Sequence, residues 1–260
     1  MKNLIRTFSD APGHVVQALA VKEFTLGKGE KTALTGPSGS GKTTFLHCLS
    51  ALLSPTSGTI SVDGKNMDDM AEKEKQTWRA ACVGYIFQKA LLIPYLTVAE
   101  NIALAAEMAG KKKEKKEIDT WLGKVGLAGY GGRKPAGLSG GEQQRVSFLR
   151  AIIKEPLLIL ADEPTAALDK ENSRILMDLL LDYHETRACM LLCASHDPAV
   201  QERFPTSFPW KEGMPYVPET CFFIPLAPPS PPGHCSCAYC TCHGTPRFSS
   251  PNDRRAVPWN

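Results

Sequence analysis

Residues 36–43 read GPSGSGKT and lie between a short apolar run, residues 32–35, and an apolar-periodic segment, residues 43–53. This pattern matches G-x-x-x-x-G-K-[ST] between a predicted strand and a predicted helix, the context that a phosphate-binding loop requires. Glycines allow the backbone to wrap around a phosphate chain with its N–H groups inward, and the helix directs its positive end at the same phosphates. The stretch therefore predicts a P-loop NTPase of the α/β class.

Each residue type in this loop has a predicted role. Lys42 is expected to reach the β- and γ-phosphates, and the Thr43 hydroxyl is expected to ligate Mg²⁺. An ordinary glycine-rich turn with an incidental lysine is the alternative, and the flanking strand and helix argue against it. The residues predicted to contact the nucleotide phosphates are Gly36, Pro37, Ser38, Gly39, Ser40, Gly41, Lys42, Thr43 and Thr44.

A second apolar run, residues 157–163 (LLILADE), delivers two adjacent carboxylates at the end of a predicted buried strand. Open α/β sheets place their ligands at this edge. Asp162 is predicted to hold Mg²⁺, directly or through water, and Glu163 to polarise the attacking water as general base. Two acids at a strand end can also be plain surface residues, but the phosphate loop upstream favours the catalytic interpretation.

Composition limits the class of protein. The chain has 260 residues, 43% of them apolar, and a net charge of +3, which is too small to argue for a nucleic-acid partner. No stretch reaches the roughly 18 to 20 apolar residues that cross a bilayer, and the first residues do not resemble a secretion signal. We therefore expect a cytoplasmic protein that meets a membrane only through a partner. The lysine-rich run at residues 111–116 predicts a solvated helix start rather than a lipid or nucleic-acid contact.

Residues 138–146 read LSGGEQQRV and closely resemble the signature of the ABC ATPase family. Ser139, Gly140 and Gly141 offer a hydroxyl and bare amides at a helix start, which makes a second phosphate cradle. The resemblance implies a head-to-tail dimer of ATPase subunits, with each ATP between one subunit's P-loop and the other's signature, and a transmembrane permease as partner. It also implies a mainly parallel core sheet, an antiparallel β subdomain and a helical signature subdomain at about residues 89–150.

The remaining family motifs follow in order, and their roles are those that the resemblance implies. Gln88 resembles the Q-loop glutamine, which links Mg²⁺ and the attacking water to the membrane partner. Asp169 resembles the D-loop residue that crosses the dimer interface, and His196 resembles the switch histidine that contacts the γ-phosphate. Phe8 is the best-placed aromatic residue to stack on adenine, with Phe24 as the alternative, although Phe24 suits the core better.

Other stretches are similar to one branch of the family: residues 83–102 (VGYIFQKALLIPYLTVAENI) and 161–169 (ADEPTAALD). That branch serves lipoprotein release, macrolide or peptide export, and cell-division complexes. The resemblance implies an export-type ATPase, with an importer ATPase as the alternative. Residues 89–96 are then expected to meet the coupling helix of the permease.

Nine cysteines divide into two groups. Cys48, Cys82, Cys189 and Cys193 lie in apolar stretches and are predicted to be reduced core thiols. The other five lie in a tail, residues 205–260, that holds 12 of the 20 prolines. We therefore predict an ATPase domain at residues 1–204, with little regular structure beyond it.

Three hypotheses address the tail. It could hold a compact zinc site, it could be a disordered functional segment, or it could be out of frame with the ancestral coding sequence. The third would leave an exposed sheet edge and an ATP-binding remnant with weak or no transport activity. The zinc candidates are Cys235, Cys237, Cys240 and Cys242, with His234 or His243.

Overall fold

The computed structural model describes residues 1–11, 14–62, 64–211, 214–215, 236–237 and 240–241. In that part of the chain the strands are β1 Lys2–Ala11, β2 His14–Glu23, β3 Lys31–Thr35, β4 Ser57–Thr59, β5 Ser61–Val62, β6 Lys65–Asn66, β7 Val83–Ile86, β8 Leu158–Asp162, β9 Met190–Ala194, β10 Thr206–Lys211, β11 Met214–Pro215, β12 Ser236–Cys237 and β13 Cys240–Thr241. The α-helices are α1 Lys42–Leu49, α2 Glu72–Cys82, α3 Val98–Met108, α4 Lys115–Lys124, α5 Gly140–Ile152, α6 Lys170–Arg187 and α7 Pro198–Gln201. Short 3₁₀ turns occupy Met67–Asp69 and Pro135–Gly137.

The central sheet has the strand order β11-β10-β3-β9-β8-β7. All neighbouring pairs from β10 to β7 are parallel, and β11 adds an antiparallel edge. Every residue of β8 is buried, which explains why this strand reads as a continuous apolar run instead of alternating. Because β3, β8 and β9 run in the same direction, their carboxyl ends lie on one edge of the sheet.

A second sheet is antiparallel, has the strand order β2-β1-β4 and includes the first two strands of the chain. Strands β5 and β6 form a small hairpin. Leu4, Leu19 and Val21 are buried and face the core from this sheet. Helices α3, α4 and α5 follow β7 and precede β8. The predicted parallel core, antiparallel β part and helical part are therefore confirmed.

Local sequence signals specify several element ends. Thr97 caps α3: its Oγ1 accepts from Glu100 N–H at 3.2 Å, and Glu100 Oε2 accepts from Thr97 N–H at 2.6 Å. The lysine-rich run leads into α4, which begins at Lys115. The four predicted core cysteines are buried free thiols, which confirms that prediction.

Strand β10 corrects the predicted domain boundary. Thr206–Lys211 pairs in parallel with β3, so the prediction that regular structure ends at Phe204 is wrong, and the first folded unit runs over Met1–Tyr216. The side chain of Trp210 is 1% exposed, and its ring centroid lies 4.7 Å from that of Phe45 in α1. Burial of large aromatic side chains outweighs the local cost of Pro209 in the strand.

The second unit, Val217–Asn260, is described only at the β12–β13 pair. Its two strands are antiparallel, with Cys237 opposite Cys240. Most of the zinc candidates, including Cys235 and Cys242, lie outside the described residues. The zinc and disorder hypotheses for this segment therefore stay predictions.

We expect truncation after Phe204 to abolish cooperative unfolding or to lower the Tm by more than 10 °C. The truncation removes β10 and the packing of Trp210, and loss of a buried Trp side chain alone typically costs about 3–5 kcal/mol, roughly 2–4 °C per kcal/mol in a domain of this size. Differential scanning calorimetry is the measurement. Truncation after Tyr216 is the matched control and should leave the transition of the first unit in place. Equal Tm values for the two truncations would contradict the structural role of β10.

Candidate functional site

The phosphate loop joins β3 to α1 and is held tightly by two strands. A Cβ on Gly36 would lie 2.2 Å from the carbonyl oxygen of Trp210, and a Cβ on Gly41 would lie 2.3 Å from that of Ala18. Gly41 also caps α1 with a left-handed φ of 97°, which favours glycine. A Cβ on Gly39 would have no neighbouring heavy atom within 4 Å. The loop is therefore packed on β2 and β10 and open at Gly39, where a phosphate chain can enter.

Lys42 is the cation of this loop. Its Nζ donates to the carbonyl oxygens of Gly36 and Pro37, each at 2.8 Å, and lies 4.0 Å from Glu163 Oε1. Burial lowers the pKa of Lys42, and the carboxylates of Glu163 and Asp162 oppose that shift. The amine is thus a desolvated donor at the phosphate position, which strengthens its attraction for an anion.

Thr43 and Asp162 meet across the sheet edge. Thr43 Oγ1 donates to Asp162 Oδ1 at 3.1 Å. Burial raises the pKa of Asp162, and the Thr43 hydrogen bond acts in the opposite direction. A hydroxyl and a carboxylate are the hard oxygen donors that Mg²⁺ prefers. Among the described residues no group of three or more His, Cys, Asp and Glu side chains forms a metal cluster. The pair supplies two oxygen donors, so an ion bound here would need further ligands, which phosphates and water can provide.

Glu163 and His196 form the second pair of the site. His196 Nδ1 lies 3.0 Å from Glu163 Oε1, and the backbone N–H of His196 donates to Glu163 Oε2 at 3.3 Å. They follow neighbouring parallel strands, β8 and β9. Glu163 has a left-handed φ of 46°, a conformation that costs on the order of 1–3 kcal/mol and recurs at functional sites. The structure thus brings together the predicted general base and the predicted switch histidine.

Gln88 reaches the same sheet edge. Ile86 of β7 pairs with Ala161 of β8, so Gln88 and Glu163 each lie two residues beyond a paired position. Gln88 is exposed, and the preceding carbonyl, that of Phe87, accepts from Gln144 Nε2 at 2.8 Å. The structure describes no hydrogen bond from Gln88 to Thr43 or Asp162, so its metal and catalytic roles stay predictions.

The two candidate adenine-stacking residues have different surroundings. The Phe8 side chain is 40% exposed on β1, with the Arg6 guanidinium 4.7 Å from its ring centroid. Phe24 is buried and makes an edge contact with Phe45. Phe8 is therefore available for stacking and Phe24 belongs to the core.

The signature lies at the start of α5. Ser139 forms a capping box: its Oγ accepts from Glu142 N–H at 3.3 Å, and its own N–H donates to Glu142 Oε2 at 2.7 Å. Asp169 caps α6 by accepting from Asn172 N–H at 2.9 Å. No hydrogen bond or ion pair in the described part of the chain joins Ser139, Gly140 or Gly141 to the phosphate loop. The first cradle joins β3 to α1 and the second precedes α5, so the two lie on different elements of the chain.

Sequence reasoning missed two residues around the site. Trp210 backs the loop from β10, and its only sequence signal is the alternation of Phe208 and Trp210 in residues 206–211. Tyr85 of β7 lies beside Asp162, and burial, with the Asp162 carboxylate, raises the pKa of its phenol. A tyrosine within an apolar strand carries no signal for that position.

Comparisons with known proteins agree with this geometry. The family profile described as "ABC transporter" matches residues 19–166. The chain is 37% identical over 221 residues to the lipoprotein-releasing system ATP-binding protein LolD of Legionella pneumophila, covering 84% of this chain and 96% of that protein. It is 38% identical over 199 residues to the putative hemin import ATP-binding protein HrtA of Staphylococcus haemolyticus, covering 76% and 89%.

Solved structures show the same fold. The dimeric structure of the ATP-binding cassette MJ0796, in a post-hydrolysis state bound to ADP and Pi, matches with a TM-score of 0.77 and 31% identity. The match covers 83% of this chain and 95% of that one. The 84% of the 260 residues aligned with LolD is about 218 residues, so the similarity extends beyond residue 204. The similarity to LolD therefore does not stop at residue 204, and the out-of-frame hypothesis for the rest of the tail stays a prediction.

We expect Gly36→Ala to weaken nucleotide binding and to lower the free energy of unfolding by about 1–3 kcal/mol, the usual cost of overpacking. The added methyl would overlap the backbone of β10, so the loop must shift. Isothermal titration with ADP and thermal unfolding measure the two effects. Gly132→Ala is the control, because a Cβ there meets nothing within 4 Å. An unchanged affinity for ADP would contradict the tight packing of the loop on β10.

Proposed function

The chain belongs to the ABC transporter family as an ATP-binding, ATP-hydrolysing subunit, and we propose that it drives a transmembrane permease of the lipoprotein-release or export type as a head-to-tail homodimer. The observation that carries the proposal is the meeting of Lys42, Thr43, Asp162, Glu163 and His196 at one sheet edge. The likeness to LolD supports the branch. No helix in the described part of the chain is long and apolar enough to cross a membrane. As a subunit of this family, the chain is proposed to attach to the inner face of the cell membrane through the permease.

Nucleotide binding uses groups that the fold already holds in place. The amides of the loop and Lys42 would bind the phosphates, and Phe8 would stack on adenine. On phosphate entry Lys42 exchanges its two carbonyl contacts for phosphate oxygens. Thr43, Asp162 and Gln88 are the residues that would hold Mg²⁺, which when bound neutralises phosphate charge.

Hydrolysis then requires a base beside the γ-phosphate. Glu163 accepts a proton from water as the water oxygen bonds to the γ-phosphorus and the bond to the bridging oxygen breaks. The two contacts from His196 hold the Glu163 carboxylate in one orientation, and the imidazole is proposed to contact the γ-phosphate. A fixed orientation lowers the activation free energy of hydrolysis because the carboxylate loses little conformational freedom on reaching the reactive geometry.

The proposed dimer follows from the separation of the two cradles. In the part of the chain that the structure describes, Ser139, Gly140 and Gly141 make no hydrogen bond to the phosphate loop of the same chain, and we propose that they bind a nucleotide held by a second subunit. ATP would close the dimer because its γ-phosphate gains contacts from both subunits, and hydrolysis removes those contacts. The dimeric form of MJ0796 supports this arrangement.

A preformed surface for the permease lies just after Gln88. Side chains from other elements fix the backbone of residues 89–96. Arg150 donates to the carbonyl oxygens of Ala90 and Leu91 at 2.9 and 2.6 Å, and Lys134 donates to the carbonyl oxygen of Tyr95 at 2.6 Å. The Tyr95 side chain is 86% exposed and that of Leu91 is 58% exposed. A groove of about 440 Å³, lined in part by Leu91 and Arg150, opens beside the segment. A fixed backbone with outward apolar side chains suits a docked helix.

We expect Tyr95→Glu or Leu92→Glu to uncouple transport while basal ATP hydrolysis stays within about twofold. A charge placed in an apolar contact carries a desolvation cost of several kcal/mol on docking. Transport by the reconstituted complex and ATPase activity of the isolated subunit are the measurements. Lys116→Glu changes an exposed charge on α4 and is the control. Equal loss of transport and basal hydrolysis would contradict the assignment.

The proposed function is tested with Glu163→Gln and light scattering. The substitution removes the general base but keeps the size of the side chain, so we expect ATP to bind without being hydrolysed and to trap the dimer. The mass should double with MgATP and stay monomeric with ADP. A monomer that binds ATP without dimerising would contradict the homodimer and favour the remnant alternative. Failure to bind ATP would contradict the nucleotide site itself.

A further inference from the structure

Asn172, in the first turn of α6, uses its amide to join two family motifs. Its Nδ2 donates to Asp169 Oδ2 at 2.7 Å, and its Oδ1 accepts from Arg145 Nη1 at 2.8 Å. Arginine only donates and a carboxylate only accepts, so the amide can be oriented in one way. Neither aspartate nor an apolar residue makes both bonds.

The Arg145 bond leads into the signature helix. Arg145 lies on α5 four residues after Gly141, on the same face of the helix. Among the described residues Arg145 makes no ion pair, and its side-chain hydrogen bond goes to Asn172. A Cβ on Gly141 would lie 2.5 Å from Asn172 Oδ1. The bare Cα of Gly141 therefore lets the amide pack against the first turn of α5.

The Asp169 bond leads into the D-loop. The Asp169 carboxylate receives the side-chain amide of Asn172 on one oxygen and the Asn172 backbone N–H on the other. These hydrogen bonds from Asn172 hold the pKa of Asp169 below its usual value. With both oxygens engaged, the direction of this carboxylate is set by Asn172.

We propose that Asn172 is a positioning residue that joins the signature to the D-loop, so that both segments engage the partner subunit as one rigid body. This inference rests on the proposed dimer, and it adds a link inside one subunit between two surfaces that meet the other. When the start of α5 closes on the partner's nucleotide, Arg145 and Asn172 carry Asp169 with it. Loss of the link leaves the chain's own phosphate loop intact but lets the two surfaces move separately.

The test measures ATP-driven dimerisation in the Glu163→Gln background, with Asn172→Ala, Arg145→Ala and the double variant. We expect each single variant to raise the dimer dissociation constant at least tenfold with MgATP, and the double variant to lose no more than either single one, since one link is broken in all three. Binding of a fluorescent ADP analogue to the monomer should stay within twofold. Glu171→Ala, an exposed change in the same turn that meets Arg174 rather than α5, is the control.

Each other outcome overturns the proposal in a distinct way. Additive losses in the double variant would mean that Asn172 and Arg145 act separately. A parallel loss of ADP binding would mean a general structural role. If Asn172→Ala dimerised at the same protein concentration as its Glu163→Gln parent, the proposed link would be wrong and the homodimer would stand. A Glu163→Gln parent that stays monomeric with MgATP would overturn the proposed homodimer, and the link would fall with it.

Discussion

Parallel pairing of β8 with β9, and of β9 with β3, is the constraint on which the site depends. The register places Ala161 opposite Cys193, and Ala33 of β3 opposite the same Cys193. Three strands that are far apart in sequence therefore end on one sheet edge. Asp162 ends β8, Glu163 and His196 follow β8 and β9 within two residues, and the loop after β3 brings Lys42 and Thr43 to the same edge.

Charged groups can be buried at this edge because each has a specific polar partner. Lys42 is 6% exposed and Asp162 is 7% exposed, and an isolated buried charge would be costly. Each is offset by a specific partner: Lys42 by two loop carbonyls and the nearby Glu163 carboxylate, and Asp162 by the Thr43 hydroxyl. Because the site contains both a cation and carboxylates, it can bind an anionic phosphate chain and a metal ion together, as a metal–nucleotide substrate requires.

The site also depends on β10, a strand whose prolines disfavour strand formation. β10 contains Pro209 and Pro205 precedes it, yet its backbone forms one wall of the phosphate loop at Gly36. The aromatic residues Phe24, Phe45 and Trp210 form a connected cluster under the loop. Nucleotide binding therefore depends on the packing of β10. The link through Asn172 has a similar logic, since a motif at one helix start is positioned by a side chain from another.

The sequence by itself determined the P-loop, the acidic strand end, the family, the order of the core elements and the capping of α3. These features are encoded locally, because glycine geometry, strand runs and capping boxes involve residues within about eight positions of one another. Tertiary structure alone decided that Glu163 meets His196, that β10 belongs to the sheet, and that Asn172 joins Arg145 to Asp169. Those outcomes depend on packing between residues far apart in the sequence, such as Thr35 and Phe208, which are 173 positions apart, and on burial that local composition does not reveal.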